Sequence, residues 1–271
     1  MSGMFFTSSI LHLANEEAGC LDLPADECTA RIHGFKPSSL VPLVVSVAGL
    51  MSAFLMPVIG ALLDFTPHRR ATGIAASTSL FLIQAAQIAT TSSTWFAMLI
   101  LRAFAGLSYD IQNLASQAYF PEIGRKAGEE KTNKFMALFS ISLLGTEFVY
   151  LIFVIVISII FHLDDLVTAQ VGQGVSAFAI LLTLGYGWST LPEVPALHSK
   201  PENIPLLKSG FSQLWCTAKG INIHYGNTLR WFFIATSFAE AGTLPRFEIF
   251  CNYKLTFASV CKVLMLSQHV V

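Results

Sequence analysis

Gly60-Ala61-Leu62-Leu63-Asp64-Phe65-Thr66-Pro67-His68-Arg69-Arg70 is a short polar hinge between two apolar runs. Upstream, Leu40 to Leu63 holds 24 residues without a charge, and downstream Ala71 to Leu101 is uncharged too. Each run is long enough to cross about 30 Å of hydrocarbon as a helix. A charge-dense turn between two spanning helices must lie at a membrane face, and the adjacent arginines mark that face as cytoplasmic.

Composition points the same way. Apolar residues make up 54% of the chain and charged residues 12%, about half the share usual in a soluble domain, and the mean hydropathy is +0.61. The expected fold class is therefore an all-α polytopic membrane protein. The net charge of −1 says nothing about partners, because the charges are distributed by side.

Met1 to Leu13 is apolar but too short to span. It reads either as a signal-peptide core lacking a basic leader and a clear cleavage site, or as the remnant of a first helix that starts upstream; we take the second. Residues 14–38 form a polar, acidic loop on the non-cytoplasmic side. Cys20 and Cys28 lie there, close enough to bridge in an oxidising lumen or to remain two thiols, and the other three cysteines match no metal-ligand spacing.

Residues 39–191 hold five complete spans: Leu40–Leu63, Ala71–Thr90, Trp95–Tyr119, Phe135–Phe161 and Leu166–Leu191. Ser46, Gly49 and Ala53 form a small-residue face on the first, and Pro57 is expected to kink it. On the third, Arg102, Gly106, Tyr109 and Asn113 are spaced four, three and four residues apart, with Asp110 and Gln117 alongside. Charges in hydrocarbon cost several kcal/mol unless they face protein or a wet cavity, so this stripe is expected to line one. Glu147 sits near the middle of the fourth span on an otherwise apolar segment. Pro121 is expected to end the third span, Glu122–Lys134 to be a basic loop, and residues 192–230 a polar connector. A last helix starts at Trp231 and carries Glu240; residues 246–271 read as a divergent tail.

Ten lysines and arginines fall on the side of the Arg69–Arg70 turn, against Arg31 and Lys36 on the other. That bias is a consistent topology. No phosphate-binding glycine loop, His-Glu-x-x-His or Gly-x-Ser-x-Gly occurs, so an enzyme is not expected and no cofactor or metal is implied. Nor is there a basic stripe for nucleic acid. The expected partners are the lipid bilayer and a small substrate.

The hinge Gly60-x-Leu62-x-Asp64 followed by Arg69 and Arg70 resembles the loop between the second and third helices of the major facilitator superfamily, and Arg102-x3-Gly106 resembles its arginine-bearing fourth helix. Within that superfamily the wording is most similar to the autophagy-related protein 22-like, or vacuole effluxer, family. The resemblance lies in Met56-Pro57-Val58-Ile59-Gly60-Ala61 running into the hinge, in Ala118-Tyr119-Phe120-Pro121-Glu122-Ile123, and in Phe238-Ala239-Glu240-Ala241-Gly242-Thr243, and covers about Leu13 to Leu244. Two departures are a fifth helix poor in glycine between Leu143 and Tyr150 and the lack of a second half.

The resemblance implies the N-terminal half of a transporter bundle, truncated at both ends, in the vacuole membrane. It implies export of amino acids from the vacuole lumen to the cytosol. Gly60, Asp64, Arg69 and Arg70 would form gating contacts, or else a solvated turn. Arg102, Tyr109, Asp110, Asn113, Glu147 and Glu240 would line the substrate or proton pathway, with Arg102 holding a carboxylate or coupling to a proton through Asp110. For Arg102 the other reading is snorkelling toward the Trp95 interface. Two further functions stay open: a transport-inactive membrane interaction module, and a transporter of another substrate class such as sugar or drug.

Overall fold

A computed structural model describes residues 3–21, 28–193, 195–196, 205–224, 229, 231 and 234–235. Glu240 and residues 246–271 lie outside them. The described chain is helical: α1 Gly3–Glu17, α2 Pro37–Phe65, α3 Arg69–Gln87, α4 Trp95–Gln117, α5 Phe120–Ala127, α6 Glu129–Ile160, α7 Asp165–Thr190 and α8 Leu206–His224. Among the described residues the β content is one isolated bridge, Ile32 to Phe35. The chain divides into two units, Met1–Ser212 and Gln213–Val271, and α8 runs from the first into the second.

In the first unit α3 packs on α4 and α7, α2 packs on α4, and α1 packs on α7. Two clusters tie the ends of these helices. At one end Phe6, Ile10 and Leu13 of α1 meet Leu40 of α2 and Trp95 and Leu99 of α4. At the other, Leu63 of α2 meets Ala115 and Tyr119 from the end of α4 and Trp188 of α7. Thus α2 and α4 run the same way, as alternating crossings require.

Burial is inverted relative to a water-soluble bundle. The inward face of α3 is Arg69, Gly73, Ala76, Ser77, Leu80, Gln84 and Gln87, at helical spacings of three and four. That of α7 is Thr168, Ala169, Gly172, Gln173, Ser176, Ala177 and Trp188. Small and polar side chains point in, while Leu50 and Phe54 of α2, Phe148 and Val149 of α6 and Leu181 and Leu182 of α7 stand exposed. In water this arrangement would leave apolar surface unburied along whole helices; in lipid it is the stable one, because polar groups must find partners within the protein.

Among the described residues three helices, α2, the Glu130–Ile160 part of α6, and α7, are long and apolar enough to cross a membrane. Helices α3 and α4 have 19 and 23 residues and carry the polar side chains. Part of that polar set is turned against neighbouring helices. Ser79 and Ser108 hydroxyls lie 3.1 Å apart across α3 and α4, Gln87 Nε2 of α3 donates to Met98 O of α4 at 3.2 Å, and Gln170 Nε2 of α7 donates to Thr90 O in the turn after α3 at 2.8 Å, whereas the buried Gln84 Oε1 and Gln87 Oε1 have no hydrogen-bond partner among the described residues.

Two connectors differ from expectation. The stretch read as a basic loop, Glu122–Lys134, is helical on both sides of Gly128, whose φ of 87° only glycine adopts without strain. Pro121 does not simply stop a helix; it sits at the first turn of α5, where its missing N–H costs nothing. Local ion pairs support these polar turns, Arg125 to Glu122 at 2.7 Å and Lys134 to Glu130 at 2.8 Å. The stretch 192–230 likewise contains α8, 19 residues long. Helix α2 continues through Pro42 and Pro57.

Candidate functional site

The hinge is a clasp on three helix ends. Thr66 closes α2: its backbone N–H and its hydroxyl both donate to Leu62 O, at 3.1 and 2.6 Å. Arg69, only 1% exposed, then turns back, donating from Nε to Leu63 O at 2.8 Å and from Nη1 to Ala118 O at 3.3 Å. Arg70 donates from Nε to Trp188 O at 2.9 Å and from Nη2 to Ser189 O at 3.4 Å. The carbonyls so capped end α2, α4 and α7. A helix leaves its last carbonyls without internal partners and carries partial negative charge there, so two guanidinium groups at three such ends satisfy both needs.

Trp188 completes the clasp. Its indole N–H donates to Ser77 Oγ at 2.8 Å, and its ring lies so close to Gly73 that a Cβ there would overlap it. Tyr119 packs beside Trp188, and its hydroxyl donates to Pro192 O at 3.3 Å. A solvated turn does not describe Arg69. Asp64 is half-buried on the last turn of α2, and Gly60 faces open space, with no atom within 4 Å of a built Cβ.

The second locus is the polar stripe of α4. Asp110 is exposed and accepts a hydrogen bond from Ser52 Oγ of α2 at 2.7 Å. Tyr109, 50% exposed, lies within electrostatic reach of its neighbour Asp110 and of Glu147 on α6. Asn113 is half-buried and accepts from Gln117 Nε2 at 3.3 Å.

Arg102 is half-buried against Gly3, where a Cβ would meet its guanidinium, and within coulombic range of Tyr150. Because Glu17 at the other end of α1 accepts a hydrogen bond from Trp95 Nε1 at 2.7 Å, Gly3 lies about 20 Å from that end by helical rise. The Cα of Arg102 is only about 10 Å from Trp95, so its side chain turns inward, away from the Trp95 interface.

Three participants escaped the reading of the sequence. Ser52 gave no signal beyond a small residue on α2. Tyr150, buried and donating to Gly172 O at 3.1 Å, lies three residues after Glu147, a spacing that places both on one face of α6. Trp188 was visible only as the aromatic end of a span.

At the Trp95 end, Cys20 and Cys28 form a disulfide with Cα atoms 5.7 Å apart, and His33 packs on Phe96 with ring centroids 4.4 Å apart. A cavity of about 450 Å³ opens there between Glu16, Glu17, His33, Ser92, Ser93 and Phe96. It does not coincide with the α4 stripe. Among the described residues no cluster of histidine, cysteine and acidic side chains could hold a metal.

A family model described as vacuole effluxer Atg22 like matches residues 3–257, extending past Leu244 into the stretch read as a divergent tail. No curated protein and no solved structure matches the chain.

Proposed function

The chain belongs to the vacuole effluxer Atg22-like family, and from that premise we propose that it is a secondary transporter exporting amino acids from the vacuole lumen to the cytosol, in nutrient recycling after autophagy. It is a multi-pass vacuolar membrane protein. The family match over residues 3–257 is the observation that carries this reading.

The α4 stripe supports a mechanism. In the major-facilitator arrangement, helix bundles rock about a substrate site near the midplane. Here Asp110, held by Ser52, is the proton or ammonium partner, Arg102 is the partner of a substrate carboxylate, and Tyr109, Asn113 and Glu147 line the same path. The Arg69–Arg70 end faces the cytosol, on the strength of the positive-inside bias. Its clasp holds α2, α4 and α7 together so that they move as one body while the gate around Asp64 changes partners.

The test is efflux of a labelled amino acid from vacuolar vesicles carrying Arg102→Ala or Asp110→Asn. Each substitution is expected to reduce efflux at an unchanged protein level. Normal efflux by both variants would overturn the assignment of these residues, and absence of amino-acid efflux by the unsubstituted protein would overturn the substrate class. If protons couple through Asp110, collapsing the pH gradient abolishes uphill movement in the unsubstituted protein.

A further inference from the structure

The connector between α7 and the last helix was expected to be polar chain, yet α8 spans Leu206–His224 as a helix whose middle turns carry an apolar face, with the exposed Ile223 apart from it on the Cys216 side. Phe211, Leu214, Trp215 and Ala218 recur at intervals of three, one and three residues, which places them on one face. Phe211 is 43% exposed, Leu214 58% and Trp215 73%. Ser212, Gln213, Cys216 and Thr217 fall elsewhere on the helix. Lys208 and Lys219 lie seven residues before Trp215 and four after it, along one edge of the apolar face, and both are exposed.

We infer that α8 lies in the plane of the membrane interface, with Phe211, Leu214 and Trp215 inserted at the boundary between headgroups and acyl chains and Lys208 and Lys219 against lipid phosphates. Three observations select a lipid surface as the occupant. The apolar face is made of the residue types that partition into that boundary, with an indole at its centre and lysines at its edge. Cationic edges complement phosphate. And α8 follows closely after α7, whose apolar length already places the chain in a bilayer. Inserting this face removes from water apolar surface that nothing else among the described residues covers. The inference does not depend on what the protein transports.

Spin labels test it on the full chain reconstituted in vesicles of phosphatidylcholine and phosphatidylserine. With Cys251→Ser and Cys261→Ser in place, one sample is labelled at the native Cys216; a second carries Cys216→Ser and Leu214→Cys. Both positions are exposed, so neither change disturbs packing. The expected result is that the label at position 214 collides several-fold more often with oxygen than with a water-soluble nickel chelate, while the label at position 216 shows the reverse. Chelate access at both positions would mean a solvated helix, and shielding from both reagents at position 214 would mean a protein partner on this face. Either outcome overturns the proposal.

Discussion

Arg69 and Arg70 are neighbours of identical type, but their surroundings separate them. Arg69 is buried and Arg70 half-buried, so the same deletion should differ in cost. Removing Arg69 leaves carbonyls at the ends of α2 and α4 without their charged donor, and hydrogen bonds to charged groups contribute about 1.5–3 kcal/mol each. Arg69→Ala should therefore lower the thermal stability of the detergent-solubilised protein by about 3 kcal/mol, clearly more than Arg70→Ala. Arg69→Lys should restore little, since one ammonium cannot span both acceptors. Equal shifts for Arg69→Ala and Arg70→Ala would mean that burial is not what distinguishes them. Asp110 poses a different question. Ser52→Ala removes a hydrogen bond that Asp110 accepts and should reduce efflux while leaving protein level unchanged; unaltered efflux would free Ser52 from any positioning role. From the sequence, Arg69 was legible as a cation at a membrane face. Its burial was not, because that depends on α4 and α7 ending beside it.

Helix α3 shows how an element of modest apolarity is held against its neighbours. Its polar residues share one face, and α4 and α7 cover that face. The closest approach is at Gly73, beneath the Trp188 ring, where both are buried. Gly73→Ala should overpack this contact and cost about 1–3 kcal/mol. Trp188→Phe should cost less in the Gly73→Ala background than alone, because the smaller ring makes room. Additive losses in thermal unfolding would show that the two positions do not share a contact. The apolar helices α2, α6 and α7 were readable because hydrophobic length is a local property. Helices α5 and α8 were missed for the opposite reason: their charge and polarity mimic loops, and their regularity comes from a proline at a first turn, ion pairs one turn apart and an amphipathic face.

Across the first unit, the Arg69–Arg70 and Glu17–Trp95 ends lie at opposite ends of the same helices, and the topology we propose puts the first at the cytosolic face. A Ser92→Cys variant with Cys216, Cys251 and Cys261 replaced by serine should, in intact vacuoles, resist a membrane-impermeant thiol reagent added from the cytosolic side and react once the membrane is opened. Labelling in intact vacuoles would reverse the orientation. The disulfide gives a second check: Cys20 and Cys28 should label only after reduction, and the double variant Cys20→Ser/Cys28→Ser should lose about 2–3 kcal/mol, as expected for closing so short a loop. Labelling before reduction would contradict the bridge. By itself the sequence determined the membrane environment, the apolar length of α2, α6 and α7 and the family wording of the hinge, since all of these reside in hydrophobic length or local pattern. Only the tertiary structure decided that Arg69 is buried, that Glu147 shares the field of Tyr109, that Ser52 holds Asp110 and that Arg102 turns inward. Each of these joins residues on different helices, and the periodicity of a single chain shows which face of a helix is small or polar but not which neighbouring helix meets that face.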